Sequence, residues 1–283
     1  MKLAEDRVDS VRRALMIIFF AQGVAALSWM PRIPEFIANL GVSKEVWGTL
    51  IGVGGLGAII PLVFTNRLVQ RFGTSPIIRV TSVAMIGLFM ALPYPTQWWL
   101  FLVLHFTLSF VLSVFNIALN SQAVVFQKSI NKVLLASFHG AWSIGAASAA
   151  TVTSLVAVFT PLKVQMFVIP LIVLGLFILA GRNLLAVNED SHFKEEPKET
   201  APSWRKSPGY LWLLAIGLFS GMWPELVVMD WSSVYSKEVL NLDASRAAWP
   251  YTIFVGSMII GRFSITKLTT KYNINRISQI GGT

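Results

Sequence analysis

The sequence predicts an all-α integral membrane protein, and three observations carry that prediction. Of its 283 residues 54% are apolar and only 13% charged, about half the charged share of a soluble domain. The apolar residues gather into eight runs, all but the short third close to the ~20 residues of helix that cross a hydrocarbon core about 30 Å thick. The basic residues lie between the runs, biased to one side of the predicted membrane.

The first run, 14–30, follows the pair Arg12-Arg13. The basic start resembles a signal peptide, but no A-x-A site follows and seven more spans come after it, so a retained helix is expected. The second, 47–64, is a glycine-rich run with no turn signal. The third, 80–92, is short. The fourth, 98–119, opens on Trp98-Trp99, and the fifth, 137–159, carries the small-residue stretch GAASAA at 145–150. The sixth is 164–180. The seventh, 210–235, contains Pro224, which removes one backbone donor and is expected to break the helix. The eighth is 247–265.

With the N-terminus inside, all but five of the 23 basic residues fall on the inner side; Arg32, Lys44, Lys163, Lys237 and Arg246 are the exceptions. Lys and Arg are retained on the cytoplasmic side, so the expected location is the cytoplasmic (inner) membrane, multi-pass, with a cytoplasmic N-terminus. Trp29, Trp47, Trp98, Trp99, Trp231 and Trp249 all fall at outer helix ends, where interfacial aromatics belong.

Gly52, Gly54 and Gly57 fit the dinucleotide spacing G-x-G-x-x-G. That spacing acts as a phosphate loop only between a strand and a helix with an acidic residue about twenty positions on, and this run has none of the three. In lipid, small residues instead allow helices to approach closely. Gly48-x-x-x-Gly52 is therefore expected to be a packing surface, and so is the stretch at 145–150. The chain has no cysteine, which excludes disulfides and thiolate chemistry. Its three histidines, His105, His139 and His192, show no ligand spacing, so neither metal nor cofactor is expected. The scattered basic residues form no nucleic-acid face.

At a shift of 200 residues, RLVQRFGTSPIIRV (67–80) aligns with KLTTKYNINRISQI (267–280). Between the copies, 188–209 carries mixed charge and three prolines and reads as a linker. The expected organisation is a six-helix half over 1–184, a cytoplasmic linker over 185–209, and two helices of a second half over 210–283. A complete second copy would need about another hundred residues. The chain is accordingly expected to be the front two thirds of a twelve-helix protein.

These residues resemble the major facilitator superfamily, whose members have two parallel six-helix halves around a central site. The stretch NRLVQRFGTSPIIR is similar to that family's loop signature G-x-x-x-D-R-x-G-x-x-x-x-x-R. Arg71, Gly73 and Arg79 match it, while Asn66 replaces the first glycine and Gln70 the aspartate. RIPEFIANLGVS, NIALNSQAVVFQ with SFHGAWSIGA, and PELVVMDWSSVY resemble the fucose-permease-like and uncharacterised inner-membrane branches, with Gln127 in place of a glutamate and Leu226 in place of a glycine. The resemblance implies a six-helix bundle plus the first two helices of a second. It also implies a secondary transporter, a monomer, that moves a small sugar-like solute.

At 100° per residue, His105, Ser109, Ser113, Asn116 and Asn120 fall within about 80° of arc on the fourth span. Such a stripe either lines a solute cavity, joined by Gln22 of the first span, or makes interhelical hydrogen bonds worth about 0.6 kcal/mol each. Of the fourteen carboxylates, Glu225 and Asp230 alone lie in spans, about 22 and 30 Å along the seventh helix. Glu225 is either the proton carrier or a glutamate that stabilises the kink and faces water. Arg32, at the depth of Asp230, either pairs with it as an outer gate or meets lipid headgroups. Mid-membrane positions hold no lysine or arginine, which favours a neutral polar solute over an anion. Drug or metabolite efflux is the alternative among transporters. An intramembrane enzyme using His105 lacks a carboxylate partner in the stripe, and a non-transporting membrane fragment is the third class.

Overall fold

A computed structural model describes residues 5–132, 134–190, 208–247, 249–258 and 260. Among the described residues the fold is helical throughout. Helices α1 (Glu5–Leu27), α2 (Ile33–Leu40), α3 (Lys44–Gly55), α4 (Pro61–Phe72), α5 (Thr74–Ala91), α6 (Trp98–Ser129), α7 (Leu135–Val156), α8 (Leu162–Gly181), α9 (Gly209–Glu238) and the turn α10 (Ala244–Ala247) follow in order. A further helical segment covers 249–258. Among the described residues, six stretches are long and apolar enough to cross a membrane: Glu5–Leu40, Lys44–Phe72, Thr74–Ala91, Trp98–Ser129, Leu162–Gly181 and Gly209–Glu238. The fifth expected span is the helix α7, whose Gly, Ala, Ser and Thr residues leave it less apolar than its neighbours. The eighth extends outside the described residues, as do His192 and the repeat copy at 267–280.

The expected single run 47–64 is in fact two helices. Pro61 has no N–H to donate, so the backbone tightens into 3-10 turns at Leu56–Ala58 and restarts at Pro61 as the first residue of α4. The helix ends are specified locally. Ser43 Oγ accepts from the Val46 N–H at the start of α3, and Gly41, at φ +61°, closes α2 in the left-handed conformation that glycine adopts without a Cβ penalty. Gly73, at φ +79°, makes the sharp turn between α4 and α5. The expected break at Pro224 is corrected, since α9 runs unbroken from Gly209 to Glu238. One lost hydrogen bond does not end a lipid-spanning helix, because no other backbone conformation satisfies more of its groups there.

In the first bundle α1 packs on α7 and α8, α5 on α6 and α8, and α3 with α4 on α6. Small residues set the closest approach. A Cβ added to Gly145 of α7 would overlap the Phe20 carbonyl oxygen of α1, and one on Gly23 of α1 would overlap the Trp142 carbonyl of α7. Ala146, Ala149 and Ala150 are buried on the same face. For the second span the register differs from that expected. Gly54 and Gly57 meet His105 and Phe106 of α6, while Gly52 has open space around it and Gly48 faces the Trp231 indole of α9.

Candidate functional site

The polar residues of the first bundle form three layers. At the end of the bundle away from the N-terminus Arg32 is 2% exposed. Its guanidinium ion-pairs with Glu35, donating to Oε2 at 2.7 Å. It also donates to Gln165 Oε1 at 2.6 Å and to the Thr160 carbonyl at 3.0 Å. Gln165 Nε2 in turn donates to the Ser28 carbonyl at 2.9 Å, which also accepts from Thr153 Oγ1 at 2.9 Å. Arg32 therefore ties the turn after α1 to α8 and to the connection between α7 and α8. The expected partner Asp230 lies elsewhere, because Glu35 sits one turn along the same segment and reaches the guanidinium first.

At mid-depth Gln22 Nε2 donates to Asn116 Oδ1 at 2.5 Å, joining α1 to α6. Gln22 lies about 13 Å beyond Arg13 and about 10 Å short of Trp29 along its helix. Asn120 Nδ2 donates to the Asn116 carbonyl at 2.9 Å. Asn116 and Asn120 are half-buried, whereas Gln22 is 5% exposed.

The rest of the stripe is placed differently. Ser113 Oγ donates to the Ala58 carbonyl at 2.8 Å; the 3-10 turn before Pro61 leaves that carbonyl without a helical donor. His105 is buried, stacked on Phe101 with centroids 5.9 Å apart and tilted against Trp29 at 6.1 Å. It fills the space that Gly54 leaves, so it packs α3 against α6. Ser109 is half-buried between these two levels.

At the end that holds the N-terminus the loop signature is held by residues assigned from sequence to the linker. Asp190 is 1% exposed, and its Oδ2 accepts from the Thr74 N–H at 2.8 Å and from Thr74 Oγ1 at 2.7 Å, capping α5. Gln122 of α6 donates to Thr74 Oγ1 and Ser75 Oγ at 2.7 and 2.9 Å, and Ser75 donates to the Leu185 carbonyl. Arg79 Nε donates to the Gly181 carbonyl at 3.0 Å. Gly73 lies against Val187, and the Arg71 guanidinium sits over the Phe72 ring. Arg7 grips Glu189 at 2.7 Å and the Leu184 carbonyl at 2.7 Å. That hydrogen bond holds the Glu189 carboxyl below the usual carboxylate range. Residues 184–190 are thus folded onto the bundle, with Leu184 and Leu185 in its core. Their Ala, Val and Leu content is the signal that the charge-based linker boundary overlooked.

Glu225 and Asp230 lie in the C-terminal half of α9. Asp230 lines a crevice of about 240 Å³ between α3 and α9, with Trp47, Gly48, Trp223 and Trp231. Glu225 is half-buried. Both carboxylates lie within electrostatic reach of the buried Tyr251 hydroxyl. Tyr251 escaped the sequence reading because one phenol in an apolar run looks like core. Where α9 meets the first bundle, it does so near its C-terminal end. There Ser233 Oγ donates to the Met30 carbonyl at 3.4 Å, and Lys44 and Glu238 approach to 3.5 Å. Residues 209–224 are exposed.

The comparisons with known proteins agree with this architecture. The sequence profile described as Major Facilitator Superfamily matches residues 11–282. An uncharacterized transporter of Sinorhizobium fredii (strain NBRC 101917 / NGR234), y4wD, is 27% identical over 271 residues, covering 93% of this chain and 69% of that protein. An uncharacterized MFS-type transporter of Yersinia pestis is 23% identical over 253 residues, covering 88% of this chain and 63% of its own length.

Proposed function

Because the chain belongs to the major facilitator superfamily, a family of membrane transporters, we propose that it takes part in secondary active transport of a small neutral polar, sugar-like solute by alternating access. The Gln22–Asn116 amide pair carries this reading. It is the mid-depth link between α1 and α6, and with Asn120 it offers both donors and acceptors to hydroxyl groups. The basic residues of the first bundle lie toward its ends, which leaves an anion without a counter-charge at this depth. The working location is the cytoplasmic membrane, with a cytoplasmic N-terminus and a monomeric chain.

Glu225 is the proton carrier in this proposal. A charged side chain within a span costs about 2.5–3.5 kcal/mol, which sets Glu225 apart from the carboxylates of the loops. Uptake of a labelled hexose panel into proteoliposomes tests both parts. Asn116→Ala is expected to abolish uptake while the protein melts within a few degrees of the wild type. Glu225→Gln is expected to abolish uptake driven by a pH gradient while leaving solute exchange intact. Full hexose uptake by Asn116→Ala would overturn the solute site, and unchanged proton-driven uptake by Glu225→Gln would overturn the carrier role.

A further inference from the structure

A crevice of about 470 Å³ opens between α5 and α8 at the end of the bundle that holds the N-terminus, lined by Arg79, Ser82, Val83, Phe177, Ile178 and Arg182. Its two ends differ in chemistry. One end carries two guanidinium groups on exposed residues. Arg79 uses Nε on the Gly181 carbonyl, and among the described residues no carboxylate forms an ion pair with either arginine. The other end is apolar, with Val83 55% and Ile178 50% exposed on the bundle's outer surface. The transport reading makes no use of this crevice, which lies on the perimeter of the first bundle, away from Gln22, Asn116 and α9.

We propose that this crevice seats an anionic glycerophospholipid, with its phosphate between Arg79 and Arg182 and the start of an acyl chain along Val83 and Ile178. The pairing of charge with an exposed apolar wall selects a lipid. A free phosphate would use the guanidinium groups alone and leave the wall in contact with lipid tails. Guanidinium binds phosphate oxygens in a two-pronged geometry, and basic pockets between helices at the cytoplasmic interface suit anionic headgroups. The Arg79–Gly181 hydrogen bond pre-orients one guanidinium, so the site is partly built before the lipid arrives.

The test is native mass spectrometry of the detergent-purified full chain, titrated with phosphatidylglycerol or with phosphatidylcholine of the same acyl chains. Phosphatidylglycerol is expected to bind with clear preference, and Arg182→Gln to weaken it about fivefold, as about 1 kcal/mol per arginine near the surface implies. Arg79→Gln with Arg182→Gln should remove the preference. Ile178→Trp fills the apolar end and keeps both charges, so it should weaken phosphatidylglycerol binding as well. Arg182 and Ile178 are exposed, so both single variants are expected to melt as the wild type does. Equal binding of the two lipids, unchanged binding by Arg182→Gln, or full displacement of phosphatidylglycerol by inorganic phosphate would overturn the proposal.

Discussion

Helices α1 and α9 open the two stretches that the sequence reads as related halves, and their spans have the same mean hydropathy, yet 67% of the best apolar window is buried in one and none of it in the other. Apolar content decides that each enters lipid. It does not decide what each one touches, because lipid tails are as apolar as a neighbouring helix. Both carry glycines; what separates them, among the described residues, is a facing helix. Gly23 lets the α7 backbone approach α1 and Gly145 does the same from the other side, whereas no described helix faces Gly217 and Gly221 of α9. The polar groups follow the same division. Gln22 and Arg32 of the first bundle are hydrogen-bonded to side chains of other helices, while Glu225 and Asp230 lie where α9 begins to meet its neighbours.

The comparison is broken or sharpened most strongly at those glycines. Gly145→Leu would push a side chain into the α1 backbone and is expected to cost about 3 kcal/mol, against about 0.5 kcal/mol or less for Gly221→Leu. Thermal unfolding in detergent reads both, and equal shifts would erase the distinction drawn here. Arg32→Met comes next. It leaves Gln165 and Glu35 without their shared donor, at an expected cost of about 2 kcal/mol, whereas Asp230→Asn should leave the melting midpoint in place. A large shift for Asp230→Asn would restore the outer gate expected from sequence.

A smaller effect belongs to the end that holds the N-terminus. Glu189→Gln is expected to cost about 1 kcal/mol at neutral pH. The folded carboxyl titrates below its unfolded value. The stabilisation is therefore complete above the unfolded value of about 4.3 and disappears as pH falls through the folded one. Melting curves of wild type and variant should converge as the pH is lowered past 4.3; a difference that persists in acid would assign the effect to packing. Smallest is Glu238→Gln, which removes an exposed pair with Lys44 and should shift stability by less than about 0.5 kcal/mol.

The site was legible in part. Spacing found the stripe on α6, and Asn116 does meet Gln22. Spacing could not find that Ser113 serves a carbonyl freed by Pro61, a residue 52 positions earlier, or that His105 fills the space above Gly54. Helical periodicity says which residues share a face, and the face's neighbour is a long-range fact. Gln127 illustrates the point. It replaces the glutamate expected from the resemblance, and its Oε1 accepts from the Leu134 and Leu135 N–H groups at 3.2 Å, work that an amide oxygen does as well as a carboxylate.

The amino-acid order alone determined the helical class, the span positions and the side on which basic residues collect, because the energy of entering lipid is set residue by residue along one helix. Tertiary structure decided the partners: Glu35 and Gln165 for Arg32, Asp190 for Thr74, Asn116 for Gln22. A buried polar group must be satisfied by whatever lies nearest in space, and apart from Glu35, one turn along from Arg32, each of these neighbours comes from a segment many residues away in the chain.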